Sequence, residues 1–425
     1  MWKYVLAILC LFFVLHVQSQ TPVASKDSVV VQQDSIKKRD LLHQLGNGFF
    51  PTKYFDIDLR YLVKYNQYEG LRNGFGGVTN DGLSEKFRIN SYVAYGFRDN
   101  RFKFGVGGSL RLEESGQTWL NVSYTDDLQE TGSSKFLTDK RFFSFFEPRL
   151  LNIDLFYKFI KQSVSIEHAL TPKILSEFQL AVSNVNPTYN YLYVNDNKAY
   201  SEFNLSTAIV SLQFNPFSEY TLVKNRLKET TVGFPKFSLQ FTQAVSGVFK
   251  SELNFSKIDF RTLHEIRYNP ESFTRFVLTA GYALGDAPLS HLYHAYPNNI
   301  NKETILQRFS VAGIDSFETM YFNEFFSDRF TTLQFRHYFK PFQIASRFKP
   351  QLVLISRFAI GNMNNINKHQ GITFGTLDKG YTESGFEINK LIFGFGLSGT
   401  YRYGGYHLPE IGDNIAVKFT FNVTL

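Results

Sequence analysis

Cysteine is almost absent from this 425-residue chain; the one copy, Cys10, lies in the amino-terminal apolar stretch. Once that stretch is removed, no disulfide, no thiolate chemistry and no cysteine-ligated metal site remains. Proline is scarce at 13 residues, and tryptophan and methionine number only 2 and 3. Beyond the amino terminus, no apolar run approaches the roughly eighteen residues of a spanning helix. If the chain crosses a membrane, it has to do so as a closed β-barrel, because only helices and closed barrels satisfy their own backbone in lipid. There is no basic stripe either. The formal charge of +7 comes from residues scattered through the chain, so no nucleic-acid partner is expected.

Aromatic side chains are abundant. With 46 Phe and 24 Tyr the chain is 17% aromatic, yet its mean hydropathy is −0.19. Apolar and polar residues must therefore interleave. A soluble all-β protein could do this, and so could a membrane barrel, whose lipid-facing and lumen-facing positions alternate.

The carboxyl terminus shows the pattern without an error. Ile415, Val417, Phe419, Phe421, Val423 and Leu425 point one way; Ala416, Lys418, Thr420, Asn422 and Thr424 point the other. Period two is the signature of a strand with one apolar face. A strand that runs to the chain end and finishes on an apolar residue reads as the one that closes a barrel. Upstream, Phe87, Ile89, Val93, Tyr95 and Phe97 alternate with Arg88, Asn90, Tyr92, Ala94 and Gly96. Asp99-Asn100 reads as a two-residue hairpin turn, after which Phe102, Phe104, Val106, Leu110 and Leu112 return against Lys103, Gly105, Gly107, Ser109 and Arg111. Glycines on the polar face suit strands that are crowded by lumen contents or sharply coiled.

The amino terminus carries Lys3 and then an apolar run from Tyr4 to Leu15, too short to span a bilayer. Residues 1–19 are expected to be a secretory signal peptide cleaved after Ser19. Ala7-Ile8-Leu9-Cys10 resembles a lipoprotein box, but Leu9 is too large for that position. Residues 20–50 form a polar periplasmic leader, too short for the plug of a TonB-dependent importer. Residues 51–425 form the barrel. The expected fold is all-β: a single transmembrane antiparallel β-barrel of roughly 16 strands, within about 14–18, in a bacterial outer membrane. Long connections near 129–156, 185–200 and 286–316 fall on one side, and 215–232 and 361–379 on the other.

No motif marks chemistry. Glu113-Glu114 and Asp126-Asp127 are adjacent pairs on strands, so their side chains face opposite ways. His291 and His294 could ligate zinc on a helix, but no third ligand is evident. His168, His264 and His337 fall within strands. Asn121, Asn204, Asn254 and Asn422 open sequons inside strands, where they are by-products of alternation. Arg141-Phe142-Phe143-Ser144-Phe145-Phe146 is an aromatic patch that either packs into the barrel mouth, sits at the membrane interface or marks a partner surface. No catalytic residue, cofactor or metal is expected.

Several blocks occur together in order: Asn66–Asn80 (Asn-Gln-Tyr-Glu-Gly-Leu-Arg-Asn-Gly-Phe-Gly-Gly-Val-Thr-Asn), Tyr92–Asp99, Gly285-Asp286-Ala287-Pro288-Leu289, Phe326-Ser327-Asp328-Arg329-Phe330 leading to His337, Tyr381-Thr382-Glu383-Ser384-Gly385 and Tyr401-Arg402-Tyr403-Gly404. Over about residues 50–425 the chain resembles the barrel region of a Bacteroidetes outer-membrane family, domain of unknown function 5686. Relatives of that kind carry a carboxypeptidase-regulatory-like β-sandwich before the barrel, and by resemblance this chain is a barrel-only member. The barrel is also distantly similar to BamA-type assembly barrels. Their Val-Arg-Gly-Phe/Tyr signature has no counterpart in Val311–Met320, which counts against a self-sufficient insertase.

The resemblance implies a non-enzymatic protein of envelope biogenesis or protein export and assembly, working within a complex. The polar inner face motivates a second reading, a passive or substrate-specific pore; a barrel hydrolase is a third. Expected partners are outer-membrane lipid and lipopolysaccharide, the barrel-assembly machinery during insertion, and further envelope proteins. If the last strand is the assembly-competent one, Phe421→Asp combined with Val423→Asp should abolish membrane insertion in a fractionation assay. Normal insertion of the double variant would overturn the assignment.

Overall fold

The computed structural model describes Leu45 and residues 48–425, apart from 114–116, 142–147, 152, 196–197, 224–225, 301–309, 346–347, 393 and 422–425. The stretch expected to be a signal peptide, most of the expected leader, the Phe142–Phe146 patch, Val423 and Leu425 lie outside the described residues. Eighteen β-segments form one large sheet. Phe49–Phe50 is a two-residue tag, and Phe55–Asp58 and Val63–Asn66 are the halves of one strand, β1, interrupted by the 3-10 turn Leu59–Tyr61. With β1, the wall has sixteen strands: β2 (Gly70–Thr79), β3 (Phe87–Gly96), β4 (Arg101–Glu113), β5 (Thr118–Glu130), β6 (Phe156–Thr171), β7 (Ile174–Pro187), β8 (Phe203–Phe214), β9 (Lys236–Ala244), β10 (Phe255–Asn269), β11 (Ser272–Gly285), β12 (Arg329–Tyr338), β13 (Gln351–Asn362), β14 (Tyr381–Ile392), β15 (Phe395–Gly404) and β16 (Ile415–Phe421). Each strand pairs antiparallel with the next, as in an up-and-down barrel.

Polarity is inverted relative to a soluble sheet. On β4, Phe102 is 66% exposed and the adjacent Lys103 only 4%. The same alternation runs along β16: Val417, Phe419 and Phe421 are exposed, whereas Ala416, Lys418 and Thr420 are buried. An exposed face of Phe, Val, Ile and Leu over a buried face of Lys, Arg, Ser, Thr and Gln is what a lipid-facing wall around a polar lumen requires. The chain is an all-β, antiparallel transmembrane barrel, as the alternation predicts.

Glycine on the inner face makes room for bulky neighbours. A Cβ on Gly105 would sit 2.4 Å from the Tyr92 ring, and that ring stacks on Tyr61 at a centroid distance of 4.0 Å. The turn after β3 differs from the expected two-residue hairpin: four residues, 97–100, connect Gly96 to Arg101, with Asn100 at a φ of 51°. Phe97 and Arg98 are held by backbone bonds to Leu71 and Glu69, so they prolong the contact with β2 and leave the turn itself longer.

The long connections 131–155, 188–202, 286–328 and 363–380 all follow odd-numbered strands and emerge at one end. The expectation for 361–379 is thereby corrected, because β13 precedes it. The 215–232 stretch does lie at the opposite end, where Glu219–Val223 and Arg226–Thr231 form a separate hairpin.

The inversion has a measurable consequence. Val106, half exposed near the middle of β4, faces lipid, so Val106→Arg should destabilise the barrel by about 2–4 kcal/mol in urea titrations in lipid vesicles.

Candidate functional site

Sequence patterning places polar side chains on the inner face and leaves open which of them meet. In the structure they form networks that tie the wall to the loops. Near β1–β5, Arg72 makes a two-pronged bond to Asp127 at 2.6 and 2.9 Å. Tyr92 donates to the same carboxylate at 2.6 Å, and Lys103 pairs with Glu69 at 2.8 Å. Asp126 and Asp127 do face opposite ways, and only Asp127 joins this network.

Across the lumen, Glu383 on β14 accepts from Arg357 of β13 at 2.6 Å. It also takes the backbone N–H groups of Glu318 and Thr319, each at 2.9 Å. Arg336 of β12 pairs with Glu387 of β14 at 2.6 Å, and Arg402 of β15 with Glu324 at 2.7 Å. Charges this deeply buried are tolerated when they are paired and hydrogen-bonded.

The described parts of the 286–328 loop, 286–300 and 310–328, fold inward and pack into one end of the lumen. Within it Pro297–Asn299 runs parallel to Phe317–Tyr321. Leu289, Leu292, Tyr293, Phe317, Met320 and Phe326 pack with wall residues such as Phe203, Phe255 and Tyr381 into a buried apolar core. Loop 131–155 also turns in: Arg149 bonds Glu130 and donates to the Pro297 carbonyl at 3.1 Å, and Asp139 pairs with Arg261 of β10. Leu192–Asn195 pairs with His369–Gln370 from the loop after β13, closing the cap.

The two ends of the sheet form a seam. Among the described residues no ladder joins β16 to β1. The first half of β1 is instead covered by Phe49–Phe50, with Phe49 opposite Asp58 and Phe50 opposite Ile57. On β16, Phe419 donates its N–H to the Ser310 carbonyl at 2.9 Å and accepts from the Ala312 N–H at 2.7 Å. Val311 thereby makes a parallel bridge to Phe419. Residues 310–312 thus act as a strap on the outer edge of the last strand.

Glu318 anchors this strap. Its carboxylate pairs with Lys418 of β16 at 3.0 Å. It accepts from Asn298 Nδ2 at 2.8 Å, from the Gly313 N–H at 3.0 Å and from Ser316 Oγ at 2.7 Å. Lys418 also donates to the Asn298 carbonyl. Burial pushes the Glu318 carboxyl up, but Lys418, Arg357 and the Ser316 bond outweigh that and hold it below the ordinary range.

The six residues singled out at the carboxyl terminus therefore have an apolar, outward role through Phe421, and their polar partner Lys418 carries the lumenal contact. Patterning could place Lys418 inward. It could not find Glu318, which sits in a loop without periodicity. The Val311–Met320 region, which lacks the Val-Arg-Gly-Phe/Tyr signature, supplies both the strap and its anchor.

The candidate histidines are used otherwise than as a metal pair. His294 Nε2 contacts Glu130 at 2.6 Å and its Nδ1 takes the Tyr296 N–H at 3.0 Å. His291 sits on a short 3-10 turn beside Ser290 at 2.9 Å. Among the described residues no group of three or more His, Cys, Asp or Glu is placed to hold a metal ion. His168 and His337 bond Thr118 and Thr274 on the neighbouring strands, each at 2.8 Å.

An inverted, meandering sixteen-stranded wall with inward-folded loops defines an outer-membrane-type β-barrel. The chain belongs to the family of unknown function DUF5686, whose C-terminal domain model matches residues 50–342. In fold it is similar to BamA from Haemophilus ducreyi lacking POTRA domains 1–3, at 12% identity and a TM-score of 0.53, covering 95% of this chain and 79% of that one. CdiB from Escherichia coli aligns at 10% identity and a TM-score of 0.47, covering 87% of this chain and 62% of that one. No curated protein matches the sequence.

Removing the anchor should release the strap. Glu318→Ala leaves the Lys418 ammonium buried without its acid, a change that costs about 3–5 kcal/mol for pairs of this kind. Hydrogen exchange at the amides of Ala312 and Phe419 should accelerate relative to wild type, while the β4–β5 ladder should keep its protection.

Proposed function

We propose that this chain is a non-enzymatic protein of the bacterial outer membrane that serves envelope biogenesis or the export and assembly of envelope proteins, as part of a larger complex. Residues 1–19 direct secretion and are cleaved after Ser19, residues 20–50 remain as a periplasmic leader, and residues 51–425 insert with help from the barrel-assembly machinery. The observation that carries this reading is the seam. A wall that served only as a conduit would gain by zipping its last strand to its first along their whole length. Among the described residues, the last strand's outer edge is held by a loop strap at Phe419 and no ladder joins it to the first strand, which is itself broken and tagged by two residues. An edge satisfied by short internal segments can exchange them for another extended chain, the mode known as β-augmentation.

A substrate-specific or passive pore is the competing reading, favoured by the polar inner wall. The buried apolar core formed by the 286–328 loop speaks against it, because Phe317, Met320 and Phe326 occupy space that a water column would need. A barrel hydrolase is the third reading; among the described residues the serine bonded to a histidine ring is Ser290, beside its own chain neighbour His291 on a short loop turn.

The readings separate in one experiment. Deletion of the gene should lower the abundance of a subset of outer-membrane or surface-displayed proteins in a quantitative membrane proteome, and wild-type copies should restore them. An unaltered proteome, together with steady conductance of the purified protein in planar bilayers, would refute assembly and establish a pore.

A further inference from the structure

A groove of about 470 Å³ opens on the outer face of the wall, where β5 ends and β6 begins, with β4 and β7 on either side. Cross-strand register sets which side chains face it. Phe104 stands opposite Asp126, Asp126 opposite Ile160, and Ile160 opposite Asn184. Directly opposed residues share a face of the sheet. Phe104 and Ile160 are both 41% exposed, so Asp126 stands on the lipid-facing side. One step nearer the strand ends, Lys158 lies between Leu128 and Asn186 on the same face. Arg101, the exposed first residue of β4, and the adjacent Phe102 complete the groove.

The other charged residues that line it already have partners. Asp99 pairs with Lys103 at 2.6 Å, and Asp127 pairs with Arg72, also at 2.6 Å. Glu202, the acid beside Asn184 and Asn186, is held by their amides at 2.6 and 3.4 Å. Asp126, Arg101 and Lys158 are left. Among the described residues the Asp126 carboxylate and the Arg101 guanidinium make no hydrogen bond or ion pair, and the Lys158 ammonium has only the ring of Tyr68, 5.7 Å away. Charge at outward positions next to Phe102 and Ile160 is costly against hydrocarbon, so its partners have to come from the headgroup layer. Two cations and one carboxylate around a single groove ask for an occupant that carries both signs of charge.

We infer that this groove binds a membrane lipid with a phosphoethanolamine headgroup, its phosphate on Arg101 and Lys158, its ammonium on Asp126, and an acyl chain along Phe102 and Ile160. Arg and Lys are both suited to phosphate oxygens. A primary ammonium brings N–H donors that a carboxylate can accept. A headgroup that is anionic only would leave Asp126 facing negative charge. A trimethylated ammonium carries the charge but no N–H. The inference needs the wall to face lipid and is independent of the proposed role in assembly.

The test uses the full-length protein in detergent micelles, read by native mass spectrometry. Dioctanoyl phosphatidylethanolamine, phosphatidylglycerol and phosphatidylcholine are titrated separately. Saturable retention of one phosphatidylethanolamine is expected, at least about threefold tighter than either of the other lipids, the scale of an exposed ion pair. Asp126→Asn should bring phosphatidylethanolamine down to the level of phosphatidylglycerol. Arg101→Gln combined with Lys158→Gln should weaken retention of both lipids. Heat-modifiable gel migration checks that each variant is folded, and if Asp126→Asn does not fold, the ranking of the three lipids on the wild-type protein decides. Equal retention of the three lipids, or a preference for phosphatidylglycerol, would overturn the proposal. So would a folded Asp126→Asn protein that keeps the wild-type preference.

Discussion

The rest of the structure depends on one constraint: in hydrocarbon, no backbone N–H or C=O can be left without a partner. A chain without a spanning helix meets it by pairing each strand with both neighbours. The ladder from β1 to β16 does so for the wall interior, and exposed apolar residues such as Phe102, Val106 and Phe419 then cost nothing in lipid. The ends of the sheet are where the constraint is hardest to satisfy. There the chain uses its own loop and tag residues, Ser310–Ala312 on β16 and Phe49–Phe50 on β1.

Lining a lumen with polar residues creates a second problem, because a filled lumen dries them. The solution is pairing across long sequence separations. Glu383 takes a guanidinium from the next strand and two amides from the 286–328 loop, so one carboxylate fastens both wall and plug. Glu318 does the same for the strap through Lys418. Breaking such pairs leaves a buried charge exposed to low dielectric. The loop is therefore held in one arrangement by electrostatics as well as by the apolar contacts of Phe317 and Phe326.

Much of the wall was legible from sequence. The faces of β3, β4 and β16 follow residue by residue from period two, and the strand number agrees with the expectation of about sixteen. The turn after β3 was misread because Phe97 and Arg98 bond to the β2 side of the sheet, a contact that the local Asp-Asn signal does not contain. The 361–379 connection was assigned to the wrong end because its side depends on the parity of every strand before it. His291 and His294 have a spacing that local pattern could not assign to any partner; His294 is engaged by Glu130, 164 residues away in the chain.

The sequence by itself determined the fold class and the inward or outward direction of wall residues, since these follow from composition and from a period of two that neighbouring residues set. Tertiary structure alone decided which inner-face charges meet, that the described parts of the 286–328 loop pack into one end of the lumen, and that residues 310–312 hold the edge of the last strand. Those features join segments far apart in the chain, 120 residues for Lys418 and Asn298 and 148 for Arg149 and Pro297, and nothing in the local pattern of either segment encodes its partner.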